Sequence, residues 1–272
     1  MSLLAVIPAR LGATRLPRKP MRLLGGAPLI VRVWQRAREL EIADRCVVAT
    51  DSDEVHDAVR AAGGEAVLTR GDHPSGTDRV AEVAARPEFA TYDHVVNIQG
   101  DEPFASAAVV RAATELVTTG RFPLGTVACP AAPDLLASPD VVKVVSADDG
   151  RALYFSRAPI PYLRDAHDPE ERAMRDTLVR RHVGIYAYAR GALAAWVALP
   201  PHPLERVERL EQLRPLAHGL DMGVALVAKA PPPGIDTEDD LARAAAEWPA
   251  WHATRERAAA APHASTEPHA AA

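Results

Sequence analysis

The sequence contains no apolar run long enough to cross a lipid bilayer, which needs about 18 consecutive apolar residues. Cysteine is scarce, because Cys46 and Cys129 are the only two in 272 residues, and each lies in a short apolar run. Two such thiols exclude a disulfide framework and fit the reducing cytosol. The N-terminus also lacks the charged start and cleavage site of a secretory signal. We therefore expect a cytoplasmic protein without membrane insertion.

Positive charge is not in excess either, since the net charge is −5. This acidic balance favours neither nucleic acid nor an anionic membrane surface as a partner. The basic residues are unevenly distributed, however. An even spread would place about one in any ten positions, whereas residues 10–19 contain Arg10, Arg15, Arg18 and Lys19. This cluster indicates an anionic ligand, with an exposed basic turn as the alternative.

Apolar runs alternate with amphipathic stretches over the first hundred residues. Strands are predicted at 3–8, 45–50, 65–69 and 94–98. Helices are predicted between them at 28–40, 53–62 and 79–86. Such an alternation predicts an α/β fold with a mainly parallel, Rossmann-like sheet.

The pattern changes after a helix predicted at 105–119. Further elements are predicted as a hairpin with an Asp-Gly turn (141–146 and 152–156), strands at 182–189 and 224–230, and helices at 190–199, 204–219 and 237–247. We predict one domain over residues 1–248, in which residues 125–220 form an antiparallel insertion suited to dimer contacts. The alanine-rich residues 249–272 are predicted to be a disordered tail.

The basic cluster directly follows the first predicted strand, within the segment IPARLGATRLPRKP at 7–20. Ligands of open α/β sheets lie beyond the carboxyl ends of the strands, and arginine and lysine side chains there can bind phosphate. The segment has neither the Gly-Lys-Ser/Thr of a P-loop nor the G-x-G-x-x-G of a dinucleotide-binding turn. It is therefore interpreted as a triphosphate-binding loop of another kind.

Two carboxylates are candidates for a Mg²⁺ site. Asp101 lies in the segment QGDEP at 99–103, at the end of the fourth predicted strand, and Asp236 precedes the last predicted helix. Mg²⁺ commonly takes one or two carboxylates, and water and substrate phosphates complete its coordination. The alternative to metal binding for the segment QGDEP is that it only forms a turn. Thr237 and Asp240 have the spacing of a capping box, which leaves Asp236 free for another role.

Seven segments, in order, resemble those of the CMP-Kdo synthetases, a family of sugar nucleotidyltransferases. They are IPARLGATRLPRKP at 7–20, SGTDR at 75–79, QGDEP at 99–103, ALYFSRAPIP at 152–161, RHVGIYAY at 181–188, PLERVERLEQLR at 203–214 and GIDTEDDL at 234–241. The resemblance covers residues 1 to about 248. Arg18 and Tyr162 depart from the residues common in that family, in which a tryptophan commonly stands at the position of Tyr162.

The resemblance implies the nucleotide-diphospho-sugar transferase type of fold. It implies transfer of CMP from CTP to the anomeric hydroxyl of 3-deoxy-manno-octulosonate (Kdo), which gives CMP-Kdo and pyrophosphate and activates Kdo for lipopolysaccharide synthesis. It further implies Mg²⁺ as cofactor, CTP and Kdo as substrates, and a homodimer.

The resemblance also implies roles for individual residues. The catalytic set is Arg10, Lys19, Asp101 and Asp236, and the two aspartates hold the metal. The nucleotide-binding set is Ala9, Arg10, Arg15, Lys19, Ser75, Gly76, Arg79 and Gln99. The sugar-binding set is Gln99, Arg157, His182, Tyr186, Glu211 and Gln212. Without the resemblance, the sequence also allows a purely structural role for two of these residues. His182 would then be a histidine of the core, and Tyr186 would be an aromatic side chain packed on a strand.

Three alternatives remain at this point. A cytidylyltransferase for 8-amino-Kdo or a sialic-type acid would keep the same nucleotide loop and both aspartates. A non-catalytic nucleotide-binding protein should have lost Asp101, Asp236 or Lys19, and all three are present. A glycosyltransferase would normally show an Asp-x-Asp motif after a strand, where this sequence has Gly-Asp-Glu.

Overall fold

A computed structural model describes residues 2–12, 15–229 and 231–260. The strands are β1 (Leu3–Ala9), β2 (Leu23–Leu24), β3 (Ala27–Pro28), β4 (Arg45–Thr50), β5 (Ala66–Leu68), β6 (His94–Asn97), β7 (Leu124–Pro130), β8 (Lys143–Ser146), β9 (Ala152–Ser156), β10 (Arg180–Ala189) and β11 (Met222–Leu226). The α-helices are α1 (Leu29–Glu39), α2 (Asp53–Ala61), α3 (Gly76–Ala84), α4 (Ala107–Thr118), α5 (Pro169–Leu178), α6 (Arg190–Ala198), α7 (Pro203–Glu208), α8 (Leu213–Ala217) and α9 (Glu238–Ala260). Within the described ranges, no helix combines the length and apolarity that a bilayer span requires.

The main sheet has the strand order β11-β7-β10-β6-β1-β4-β5. Strand β1 is parallel to both β4 and β6, β4 is parallel to β5, and β11 is parallel to β7. Strand β10 is antiparallel to β6 and β7, and the β8–β9 hairpin joins it at one residue pair. The predicted α/β class, a mostly parallel sheet with an antiparallel region, is confirmed.

The sheet separates two apolar cores because successive side chains of a strand point to opposite faces. In β1, Leu3, Ala5 and Ile7 pack on the face covered by α1, α4 and α9, whereas Leu4 and Val6 pack on the other face with α3, α6 and α8. Both faces are thus buried, which explains why β1 is apolar throughout and does not alternate with polar residues.

Several predicted boundaries were wrong. The single helix predicted at 204–219 is two helices, α7 and α8, because Arg209 has a left-handed backbone (φ 53°) that ends α7. The antiparallel region predicted within 125–220 is present, because β10 runs antiparallel to β6 and β7 inside the main sheet.

The predicted tail at 249–272 was wrong for its first twelve positions, since α9 continues through Pro249 to Ala260. Trp251, beyond the predicted domain end, packs edge-on against Phe104 with ring centroids 5.0 Å apart. Such aromatic packing stabilises the extra helical turns. The rest of the predicted tail, 261–272, lies outside the described residues.

Candidate active site

A cavity of about 300 Å³ lies at the carboxyl ends of β1 and β6. Its lining consists of Pro8, Ala9, Arg10, Arg15, Leu16, Lys19, Pro20, His73, Ser75, Gly76, Arg79, Gln99, Gly100, Asp101 and Asp236. Every residue predicted to bind nucleotide or metal is in this set. Ligand sites of open α/β sheets occupy this position, outside the carboxyl ends of the strands.

The two candidate metal ligands, Asp101 and Asp236, meet at one ammonium group. Lys19 Nζ donates a hydrogen bond of 2.7 Å to Asp101 Oδ2 and one of 2.9 Å to Asp236 Oδ1. Arg15 donates to the second oxygen of Asp236 at 3.0 Å. Burial opposes the charge on Lys19, yet the two carboxylates raise its pKa above the usual value. The predicted convergence of the two aspartates is therefore present in the fold.

Close backbone packing holds this acid pair in place. A Cβ on Gly100 would lie 2.5 Å from the carbonyl oxygen of Pro8, so only glycine lets the loop after β6 pass so near the end of β1. The Ile235 N–H donates to the carbonyl of Asp101 at 2.9 Å. This bond fixes the segment that carries the second aspartate beside the first.

A capping arrangement positions the start of α9 next to Asp236. The Asp240 carboxylate accepts hydrogen bonds from the backbone N–H groups of Asp236 and Thr237, at 3.1 and 3.0 Å. The Thr237 hydroxyl in turn accepts from the Asp240 N–H at 3.1 Å. As predicted, the cap uses Thr237 and Asp240 and leaves the Asp236 side chain to face the cavity.

Burial and neighbouring charge also act on Glu102, which sequence reasoning did not single out. Desolvation and the adjacent negative charge of Asp101 raise its pKa to about 8, against the opposing effect of Arg181. The acid pair thus has a third carboxyl group beside it that takes up a proton near neutral pH.

The basic loop contributes three of its four cations to the cavity. Arg10, Arg15 and Lys19 line it, whereas Arg18 pairs with Glu54 at the start of α2. Arg18 has a left-handed backbone (φ 56°). The loop therefore presents three positive charges to the cavity, and such side chains can bind phosphate.

The N-terminus of α3 also lines the cavity, through Ser75, Gly76 and Arg79. Ser75 caps the helix by accepting from the Asp78 N–H at 3.3 Å. Arg79 is buried, and its guanidinium donates to Thr69 Oγ1 at 2.5 Å and to Asp51 Oδ2 at 3.2 Å. Arg79 therefore ties α3 to the ends of β4 and β5 as well as lining the cavity.

Some lining residues were missed by the sequence analysis. His73 is the polar one, and the others, Pro8, Leu16, Pro20 and Gly100, contribute apolar surface or backbone. The position of His73 two residues before a helix cap was the available signal, since loop residues at such a turn face the ligand side of the sheet.

The remaining predicted sugar ligands lie outside the cavity lining, but a hydrogen bond of Gln99 connects the two regions. Gln99 Nε2 donates to the carbonyl of Gly184 in β10 at 2.9 Å. His182 and Tyr186 flank that glycine on the same strand, with ring centroids 5.5 Å apart. Burial, with a smaller effect from Arg181, lowers the pKa of His182 to about 3, so this imidazole is neutral.

Glu211 contacts the start of α3, which lines the cavity, and Gln212 follows it in the chain. The Thr77 hydroxyl donates to Glu211 Oε1 at 2.7 Å, which connects Glu211 to the residue that follows Gly76. Burial raises the pKa of Glu211 above the usual value. Gln212 is buried. Both residues therefore lie beside the start of α3.

Arg157 is occupied by contacts with the protein itself. Its guanidinium donates to the backbone carbonyls of Glu208 (2.8 Å) and Pro139 (2.7 Å), and its N–H donates to the Glu208 carboxylate (2.9 Å). These bonds hold the segment after β9 against the end of α7. Its role as a sugar ligand stays a prediction.

Comparisons with known proteins identify relatives of this chain. A sequence profile of the cytidylyltransferase family matches residues 4–222. A 3-deoxy-manno-octulosonate cytidylyltransferase of Gemmatimonas aurantiaca is 63% identical over 258 residues, which cover 95% of this chain and 98% of that protein. One of Leptothrix cholodnii is 46% identical over 245 residues, covering 89% of this chain and 90% of that protein.

Solved structures are similar over most of the chain. CMP:2-keto-3-deoxy-manno-octonic acid synthetase complexed with CTP superposes with a TM-score of 0.84 at 38% identity, covering 92% of this chain and all of that one. A 4-diphosphocytidyl-2C-methyl-D-erythritol synthase of Anaerococcus prevotii, at 15% identity and a TM-score of 0.59, covers 91% of this chain and 98% of that one and shares the fold. With a family profile matched over most of its length and relatives well above 30% identity, this chain belongs to the cytidylyltransferase family.

Proposed function

We propose that this protein transfers the CMP group of CTP to the anomeric C2 hydroxyl of Kdo and releases pyrophosphate, which activates Kdo for lipopolysaccharide synthesis. The observation that carries the proposal is the convergence of three cations and two aspartates in one cavity at the strand ends. The names of both curated relatives and the CTP bound to a similar structure support it.

We propose Mg²⁺ as the cofactor, held by Asp101 and Asp236. The donor chemistry supports this, because two carboxylates already accept hydrogen bonds from one cationic group at a single point. In the described part of the chain no cluster of three or more Asp, Glu, His or Cys residues could hold a metal ion, so phosphate and water oxygens would complete the coordination. When bound, Mg²⁺ supplies charge neutralisation at the α-phosphate and acidifies the attacking hydroxyl.

The chain's own residues would position the substrates and neutralise charge. The oxygen of the sugar hydroxyl forms a bond to the α-phosphorus of CTP. At the same time the bond from the α-phosphorus to the oxygen that bridges the α- and β-phosphates breaks, and the hydroxyl proton passes to water. Arg10, Arg15 and Lys19 stabilise the negative charge that accumulates on the departing pyrophosphate. Holding both substrates in line supplies much of the remaining barrier reduction.

The sugar would lie between the cavity and the strand β10. Gln99 supports this location, because it lines the cavity and bonds to Gly184 of that strand. His182, Tyr186 and Glu211 would then offer polar groups to the sugar hydroxyls, and Gln212 and Arg157 are proposed to complete the pocket.

We also propose that the protein is a cytoplasmic homodimer. Large apolar side chains are exposed in the region 150–210, and these are Leu153, Tyr162, Met174, Leu178, Leu204 and Val207. A contiguous patch of exposed apolar side chains is typical of a protein–protein contact, and we propose that these six form one. Sedimentation that finds only the protomer mass at micromolar concentration would contradict the dimer.

The test of the catalytic proposal is Asp101→Asn, assayed by pyrophosphate release from CTP, Mg²⁺ and Kdo. Turnover should fall by about 10²–10³, because the amide keeps the shape of the side chain but removes the charge that binds the cation. The melting temperature shows whether the fold is intact. Asp148→Asn, in an exposed turn away from the cavity, is the matched control. Near-normal turnover of Asp101→Asn would refute the metal role.

A further inference from the structure

Lys19 is the counter-ion of the acid pair formed by Asp101 and Asp236. Its Nζ donates to Asp101 Oδ2 at 2.7 Å and to Asp236 Oδ1 at 2.9 Å. Arg15 donates to Asp236 Oδ2 at 3.0 Å, so cationic side chains hold three of the four carboxylate oxygens. Among the residues that the structure describes, none donates a hydrogen bond to the fourth, Asp101 Oδ1. A divalent cation that binds both aspartates therefore meets a place already held by positive charge.

The contacts of Lys19 with the acid pair are more enclosed than the contact of Arg15. The side chain of Lys19 is 17% exposed and that of Asp101 25%, whereas the side chain of Arg15 is 67% exposed. Water and salt screen an exposed ion pair strongly and a partly buried pair much less. Lys19, more than Arg15, is therefore the cation with which a metal ion must compete.

A triphosphate offers the ammonium of Lys19 a second partner. Lys19 lines the same cavity as Arg10 and Arg15, and phosphate oxygens are strong acceptors for a charged donor. The backbone of Lys19 lies in a short 3₁₀ turn, Lys19–Met21, but its ammonium is carried on a flexible four-carbon stem. Nζ can thus pass from carboxylate to phosphate without a change in the fold, and the carboxylate oxygens that it leaves become free to bind a cation.

We propose that Lys19 is a switch that keeps divalent cations away from the acid pair until a nucleotide binds. In the free protein its ammonium holds the oxygens that Mg²⁺ needs, and two cations cannot share them because like charges repel. A bound triphosphate takes over the ammonium, and the cation then binds together with the nucleotide. The inference rests on the proposed magnesium site, and it adds that this site has a low affinity for the cation when no nucleotide is bound.

Binding of Mn²⁺ to the full chain, without nucleotide or sugar, tests the switch. Mn²⁺ prefers the same oxygen ligands as Mg²⁺, and its free concentration is measured by electron paramagnetic resonance. Lys19→Met removes the ammonium and keeps an unbranched side chain, whereas Lys19→Arg keeps a positive charge. Arg10→Met is the matched control, because Arg10 lines the cavity but donates to neither aspartate within the described ranges.

We expect Lys19→Met to bind Mn²⁺ about tenfold more tightly than the wild type, since one charged competitor is gone. Lys19→Arg should stay close to the wild type, and Arg10→Met should gain less than about threefold because its exposed charge is screened. Added Mn²⁺ should also raise the melting temperature of Lys19→Met more than that of the wild type, which keeps the test valid if this variant is less stable.

The gain in Mn²⁺ affinity should vanish when Asp101→Asn is combined with Lys19→Met. A gain that persists in this double variant would place the ion elsewhere and overturn the proposal. Equal affinities of Lys19→Met and the wild type, or an equal gain in Arg10→Met, would overturn it as well. Because these measurements involve no transfer to sugar, a chain that behaves as expected but releases no pyrophosphate from CTP with Kdo would refute the proposed function alone.

Discussion

Replacing Gly100 by alanine tests whether the close contact between β1 and the loop after β6 sets the position of Asp101. The added methyl would lie 2.5 Å from the Pro8 carbonyl oxygen. Since a carbon and a carbonyl oxygen approach to about 3.3 Å, one backbone segment must move by about 0.8 Å. Overpacking of this kind costs about 1–3 kcal/mol. A shift of about 1 Å in a catalytic group lowers turnover by up to about a hundredfold.

The assay for Gly100→Ala combines the melting temperature with pyrophosphate release from CTP and Kdo. We expect the melting temperature to fall by several degrees, at about 2–4 °C for each kcal/mol, and turnover to fall by more than the fraction unfolded explains. Gly191→Ala is the matched control, because Gly191 lies in α6 and an added Cβ meets no atom within 4 Å. Wild-type stability and turnover in Gly100→Ala would refute the steric reasoning.

Two further predictions concern stability. Trp251→Ala removes the ring that packs on Phe104, and it should lower the free energy of unfolding by about 2 kcal/mol. Urea denaturation measures this change. An unchanged free energy of unfolding would mean that α9 does not stabilise the fold beyond residue 248. Burial lowers the pKa of His182 to about 3, below its usual value of 6.5, so between these pH values the unfolded chain binds a proton that the folded one does not. Stability should therefore fall as pH drops below about 6.5, by up to about 1.4 kcal/mol per pH unit, and His182→Gln should lose less over the same range. Equal pH dependence of the wild type and this variant would contradict the prediction.

The strands could be predicted where burial on both faces makes a segment apolar throughout. Arg45–Thr50 was predicted with the bounds of β4, because a run of apolar residues there ends at Asp51. The break between α7 and α8 could not be predicted, since Arg209 adopts a left-handed backbone that its residue type does not signal. Tertiary packing decides such a position, and local propensity does not.

The end of α9 was misjudged for a related reason. Pro249 is a helix breaker by local rules, yet the helix continues because Trp248 and Trp251 pack on the core residue Phe104. For the site, the positions of the charged residues just after predicted strands were enough to predict that the two aspartates and the basic loop come together. The contact between His73 and Glu82 could not be predicted from the sequence, because the two residues lie nine positions apart and neither belongs to a recognised segment.

The acid pair brings together two segments that lie far apart in the sequence. Asp101 is in place once the first half of the sheet has formed, but its partner comes from a segment that the ribosome adds more than 130 residues afterwards (236 − 101 = 135). The bond from Ile235 to Asp101 is the contact by which that late segment docks. A nascent chain stopped before Gly234 therefore contains the whole basic loop and the main sheet, yet it holds only one of the two carboxylates. The proposed cation site is therefore completed only after the main sheet and most of the described core have been synthesised.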